Sequence, residues 1–252
     1  MSTTKERGTA LLTEGLVIRE YNGVGEADRF ITVLTKEKGV VRAVARGARR
    51  IKSRSGGATA LLMYSRLRLI EGRDAYIVED AQPIETFFGL REDIGRTALA
   101  QYFCELAAAL CPADESAEDA LRVLLYTLHH LANDSRPQKL LKAVVEWRLL
   151  SEAGYMPDLS ACAACGKDAD GMYLSLIDGQ LFCPEHAPHN TMPLSAGAVA
   201  AVRHAVSCPA EKCCAFSLPE PSLSYFADAA EAFLKAQLNR GFKTLDFYHT
   251  LG

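Results

Sequence analysis

The hydrophobic period changes once along this chain, near Pro83, and that change constrains the fold class more than any other feature. Before it, apolar residues alternate in short runs at 11–21, 29–35, 40–47, about 60–70 and 74–81. Period-two alternation is the signature of half-buried strands. The runs are separated by turn chemistry at Asn22-Gly23-Val24-Gly25, Lys38-Gly39 and Glu71-Gly72-Arg73-Asp74. Five strands within about 75 residues, with turns every 8–12, describe a small antiparallel barrel. Among such barrels the five-stranded OB-fold binds oligonucleotides on one face and its flanking loops.

After Pro83 the apolar spacing is three and four residues. Leu90 to Leu110, Asp114 to Leu131, and a stretch opened by Pro137 and closed at Gly154 read as three amphipathic helices. Ser195 is expected to cap a short helix over 196–207, and Ser222 or Ser224 a final one through Phe226, Phe233 and Leu238. The expected architecture is therefore α+β and multidomain: an N-terminal five-stranded antiparallel OB-fold barrel over 1–82, then a C-terminal helical bundle over 83–252.

Charge separates the same two parts. Residues 1–80 carry 15 basic and 10 acidic side chains, which leaves −8 for residues 81–252 of a chain whose net charge is −3. Lys38 to Ile70 holds nine cations (Lys38, Arg42, Arg46, Arg49, Arg50, Lys52, Arg54, Arg66 and Arg68) and no acid. Positive charge without neighbouring carboxylates favours a polyanion, with nucleic acid first among partners. Arg42 and Arg46 share one strand face, as do Arg66 and Arg68, and Gly47, Gly56 and Gly57 allow close backbone approach to a ligand. Tyr64 is the one aromatic in this stretch. The bland reading of such a run is a solvated loop.

A different chemistry interrupts the helical half. Cys162-x2-Cys165 is followed, seventeen residues on, by Cys183-x2-His186. Two short-spaced pairs of sulfur and nitrogen ligands deliver the tetrahedron that Zn2+ prefers, and four protein ligands make the site structural. The intervening run turns as a hairpin at Asp178-Gly179, and Gly166 suits the tight turn after the second thiol. A zinc lobe over 160–187 is the expectation, with His189 fitting the spacing less well. Cys104, Cys111, Cys208, Cys213 and Cys214 read as packing or surface thiols, which fits a reducing, cytoplasmic compartment. No run reaches the ~18 apolar residues of a membrane helix, and no secretory signal is read. No phosphate loop, G-x-S-x-G or H-E-x-x-H motif is present, and none of the zinc deaminase type, so the chain is not read as an enzyme.

Three separated stretches carry a resemblance: TEGLVIREYNGVGEADRFITVLTKEKGVVRAVARGARR with its KSR continuation, LREDIGR, and LLSEAGYMPDLSACAACG. In that order they are similar to the RecO family of bacterial recombination mediators, along essentially the whole chain. The resemblance implies an OB barrel, a helical domain and a zinc lobe. Some members have a fourth Cys where this chain has His186, and some lack the cysteines.

It further implies binding of single- and double-stranded DNA, annealing of complementary strands, and help for RecA in displacing single-strand-binding protein. The implied partners are RecR, the acidic C-terminal tail of single-strand-binding protein and, in some organisms, RecF, in the cytoplasm at the nucleoid. Arg42, Arg46, Arg49, Arg50, Lys52 and Arg54, then Arg66 and Arg68, are the expected phosphate contacts. Arg122, Arg136, Lys139 and Lys142 are candidates to meet the acidic tail. The competing reading is a scaffold whose helical and zinc regions bind protein partners.

Overall fold

The computed structural model describes residues 10–22, 27–168 and 170–251, so the expected turn at Gly23–Gly25 lies outside the described residues. Five strands, β1 (Ala10–Asn22), β2 (Arg29–Thr35), β3 (Gly39–Ala45), β4 (Met63–Ile70) and β5 (Tyr76–Thr86), close into a barrel in the order β1-β2-β3-β5-β4. Every ladder is antiparallel except the short one that sets Ala43 and Val44 beside Tyr76 and Ile77 in parallel. The alternation in sequence becomes an alternation of burial. Val41, Ala43 and Ala45 of β3 point inward with Ile31, Val33, Leu67 and Leu69, while Arg42, Arg66 and Arg68 stand outside.

Strand β5 runs five residues past the expected end at 81, straight through Pro83. Proline lacks a donor, so it is tolerated in a sheet only where the ladder is interrupted. Here the register steps from Ser65–Pro83 to Tyr64–Glu85, leaving Ile84 as a bulge residue. At the other end, β4 starts at Met63 and not near 60.

The chain divides into two compact units, one of residues up to 88 with 107–121, the other of 89–106 with 122 onward. Residues 112–117 belong to the barrel's unit for a backbone reason. The Val40 N–H donates to the Pro112 carbonyl at 2.8 Å, that of Asp114 to Lys38 at 3.0 Å, and that of Ala117 to Lys36 at 3.1 Å. These bonds, with Asp114 at φ +65°, keep the segment non-helical. The second helix consequently opens at Glu118, not at Asp114.

The helices are α1 (Ile94–Leu110), α2 (Glu118–Ala132), α3 (Gln138–Glu152), α4 (Ala196–Ser207), α5 (Ser222–Leu238) and α6 (Lys243–His249). A 3-10 turn over Phe88–Glu92 replaces the first part of the helix expected from Leu90. Pro137 caps α3 and is not its first helical residue. From Leu140 to Leu150 every side chain of α3 is buried, among them Trp147, which stacks on Phe233 of α5 with ring centroids 5.6 Å apart.

Ser195 caps α4 as expected, accepting from the Ala198 N–H at 3.2 Å. At α5 neither expected serine caps. The Ser222 hydroxyl is engaged with that of Ser195 at 2.7 Å, and the Glu220 carboxylate accepts from the Ser224 N–H at 3.2 Å. Nor is α5 the last helix, since α6 follows it.

A buried ionic group ties α1, α3 and α5 within this unit. Lys142 lies 2.8 Å from Glu146 and 2.7 Å from Glu231, and the Tyr102 hydroxyl donates to Glu146 at 2.7 Å. Desolvation raises the Glu146 carboxyl above its usual range against the pull of Lys142. Burial also pushes Glu231 up, but Lys142, Lys235 and His249 prevail and hold it down at about 2.

Candidate nucleic-acid interface and metal centre

The connection from β3 to β4, residues 46–62, carries most of the cations, and backbone bonds hold it against the barrel. Gly47, at φ +63°, donates its N–H to Asp28 Oδ1 at 2.7 Å. The Arg49 N–H reaches the Ala27 carbonyl at 3.0 Å, and Arg29 donates to the Gly56 carbonyl at 2.6 Å. Ala48 and Ala58 are buried in the barrel core. With its backbone thus fixed, the loop exposes Arg46, Arg49, Arg50, Lys52 and Arg54, around a fully exposed Ile51. Arg42 stands exposed on β3 beside them in sequence. None of these six cations forms an ion pair among the described residues.

The glycines serve the loop itself. A Cβ on Gly56 would sit 2.5 Å from the Ala48 carbonyl, so its close approach is internal to the protein and not to a ligand. Gly57 has nothing within 4 Å of that position.

Arg66 and Arg68 differ from the loop cations. Both point outward from β4, but Arg66 pairs with Glu14 at 2.9 Å and Arg68 with Glu79. Strand β4 also neighbours β1 and β5, so β5 intervenes between these two side chains and Arg42 on β3. Tyr64 is half-buried and donates to Glu14 at 2.7 Å. The Tyr64 hydroxyl, with Arg66, holds the Glu14 carboxyl below its usual range, and burial together with Glu14 raises the Tyr64 phenol. That ring is committed to the barrel surface.

Of the cations weighed for an acidic tail, Lys142 is withdrawn into the buried ionic group. Arg122 is paired with Glu211 at 3.1 Å, and Lys139 donates to Ser224 at 2.7 Å.

The metal-type residues converge. Strands β6 (Asp158–Cys162), β7 (Gly171–Ser175), β8 (Gln180–Phe182) and β9 (Thr191–Ser195) form a sheet in the order β6-β8-β7-β9, so the lobe extends past 187 to Ser195. The expected β7–β8 hairpin is present, with Gly179 at φ +65° in its turn. The ligand atoms of Cys162, Cys165, Cys183 and His186 all lie within 4.8 Å of one another. Cys165 Sγ is 3.9 Å from Cys183 Sγ, which in turn is 3.1 Å from His186 Nδ1.

Two tight turns shape the group: the Gly166 N–H bonds the Cys162 carbonyl at 2.8 Å with Gly166 at φ +68°, and the His186 N–H bonds that of Cys183 at 3.0 Å. The Cys183 backbone N–H, helped by those of Cys165 and Ala164, holds the Cys162 thiol down at about 6 against its burial. Three sulfur donors and one nitrogen donor brought together in this way fit a metal ion. His189 is not part of it. On the described residues no helix is long and apolar enough to cross a membrane.

Sequence reasoning passed over Arg19, Tyr21 and Phe30, which the β1–β2 ladder places on the barrel's outer face. Tyr21 and Phe30 belong to different strands, so only the strand register reveals them as a pair.

Comparison with known proteins gives one consistent result. Residues 10–87 match the family model described as recombination protein O N terminal, and residues 91–246 match recombination protein O C terminal. Curated relatives named DNA repair protein RecO include that of Acetivibrio thermocellus, 33% identical over 96% of this chain and 97% of its own. The Symbiobacterium thermophilum protein is 34% identical over 94% and 96%, and that of Dehalococcoides mccartyi 31% over 92% of each.

Proposed function

The chain belongs to the RecO family of DNA repair proteins, and from that premise we propose that it is a non-catalytic mediator that holds DNA on the basic loop of its barrel. The observation that carries this reading is the loop over 46–62, whose backbone is bonded down while five cations face solvent unpaired among the described residues. Arg46, Arg49, Arg50, Lys52 and Arg54 with Arg42 neutralise phosphates. Arg66 and Arg68, already paired, contribute less. Phosphate contacts carry no sequence information, so binding to single and double strands is sequence-tolerant and falls steeply with salt.

Two complementary strands held on such a surface lose part of their mutual repulsion, which favours annealing. Following the family resemblance, the same surface delivers single strands from single-strand-binding protein to RecA, with RecR and, in some organisms, RecF as partners. Arg136, Lys139 and Arg122 remain the candidates for the acidic tail of single-strand-binding protein. The metal is proposed to be a single Zn2+ held by Cys162, Cys165, Cys183 and His186, binding the two turns of the lobe together, with no open position for chemistry. The 1–82 region serves DNA and the remainder serves the zinc lobe and protein partners.

Annealing of labelled complementary strands, bare and coated with single-strand-binding protein, tests the proposal. Wild type is expected to anneal, and the Arg49→Ala, Arg50→Ala, Lys52→Ala triple to anneal more slowly, both fading as salt rises. Equal annealing by the two proteins would move the DNA surface off the loop. Absence of DNA binding by wild type would favour the scaffold reading.

A further inference from the structure

Phosphate contacts alone do not distinguish a DNA strand from any other polyanion. A groove that holds single strands adds aromatic faces on which bases stack. On the outer face of this barrel, Tyr21 of β1 lies directly opposite Phe30 of β2, and Phe30 lies opposite Val44 of β3. Residues directly opposite on adjacent strands share a face, so the three form one row across the sheet. The two rings stack with centroids 5.9 Å apart and planes 22° from parallel, and Tyr21 is 45% exposed.

The next outward row along the same strands is Arg19–Thr32–Arg42, with both arginines exposed. Beyond Val44 at the other side, Arg46 leaves β3 and enters the basic loop. The aromatic row therefore lies between two sets of cations. Phe30 is half-buried and supports the ring of Tyr21, whose exposure no packing task requires. Its neighbours, unlike Arg66 and Arg68, are not quenched by carboxylates among the described residues.

We propose that Tyr21 and Phe30 form a base-stacking platform for single-stranded nucleic acid, with Arg19 and Arg42 gripping phosphates on one side and Arg46 on the other. The proposal rests on the reading of the barrel as the DNA-binding unit and adds to it a recognition of bases as distinct from charge. An apolar segment of a protein partner is the competing occupant, but it gains nothing from the flanking guanidiniums, which a phosphate chain requires.

The test compares a single-stranded oligothymidine with an abasic chain of equal length, so that phosphates are constant and bases are not. Affinities are measured by anisotropy across a salt series on wild type, Tyr21→Ser and Phe30→Leu. Wild type is expected to prefer the base-bearing strand by about fivefold or more, the scale of one stacked base. Tyr21→Ser is expected to lose most of that preference while keeping the wild-type salt slope.

Tyr21→Trp supplies a variant that preserves the stack. The chain's one tryptophan, Trp147, is fully buried, so the new indole is an exposed reporter expected to be quenched by the oligothymidine and not by the abasic strand. Wild type binding both strands equally, or Tyr21→Ser retaining the full preference, would overturn the platform while leaving phosphate binding intact. Binding of neither strand would overturn it together with the DNA reading.

Discussion

Asp28 Oδ1 accepts the backbone N–H of Gly47 at 2.7 Å, and this bond between the start of β2 and the end of β3 fixes where the basic loop leaves the barrel. Among the described residues that carboxylate pairs with no cation. It takes a turn N–H that a left-handed glycine presents, and the loop's arginines follow from that point. Removing the carboxylate should therefore affect DNA binding without removing any phosphate contact.

Asp28→Ala is expected to cost about 1.5–3 kcal/mol of stability, the scale of one hydrogen bond to a charged group. It should weaken single-strand binding, because the loop must then be ordered on association, and leave the salt slope unchanged. Urea unfolding and a salt titration of affinity check the two parts.

The lobe should depend on its metal and the barrel should not. Replacing Cys165 and Cys183 together with Ser leaves two ligands of four, too few to hold the tetrahedron. Wild type is expected to release one zinc per chain to a chromogenic chelator on thiol modification, and the double variant none. Protease cleavage should appear within 158–195 of the variant. Cleavage within the barrel would contradict the independence of the two.

Breaking the buried ionic group should be far more costly than trimming a surface pair. Lys142→Met leaves Glu146 and Glu231 facing one another without their shared cation, and removal of one partner from a buried pair costs about 3–5 kcal/mol. By contrast, Arg122→Ala, which loses only the half-exposed pair with Glu211, should cost about 1 kcal/mol or less. Urea unfolding of the two variants measures the difference.

Acid should weaken the helical unit through Glu231. Its folded carboxyl titrates at about 2 against an ordinary 4.5, so the stability it contributes is complete above about 4.5 and is lost as pH falls toward 2. Glu146, with its carboxyl raised, acts in the opposite sense, since protonating it in the folded state relieves a desolvated charge. In the Glu231→Gln variant the decline between pH 4.5 and 2 should flatten. An unchanged decline would assign acid sensitivity to other carboxylates.

What the sequence revealed, and what it hid, divides by the range of the interactions. The strand alternation, the Ser195 cap and the C-x2-C-x17-C-x2-H spacing are local patterns, and each forms where its residues stand. Pro83 looked like a strand end because nothing near it in sequence announces the Ile84 bulge that accommodates it. Asp114 looked like a helix start because the carbonyls of Lys36 and Lys38, which engage 114–117, lie far away in sequence. Lys142 looked like a surface cation until Glu231, from another helix, enclosed it. The Tyr21–Phe30 pair required a register that a bulge between Val17 and Arg19 shifts by one.

The most direct test of the account is the salt dependence of single-strand binding, wild type against the Arg49→Ala, Arg50→Ala, Lys52→Ala triple. For single strands log affinity falls on log salt with a slope of about −0.7 per phosphate contacted, so loss of three contacts should flatten the slope by roughly two units. A slope flattened by that amount in a triple with wild-type unfolding in urea is the predicted result. An unchanged slope would mean that these exposed cations touch no phosphate, and would contradict the placement of DNA on the barrel's loop.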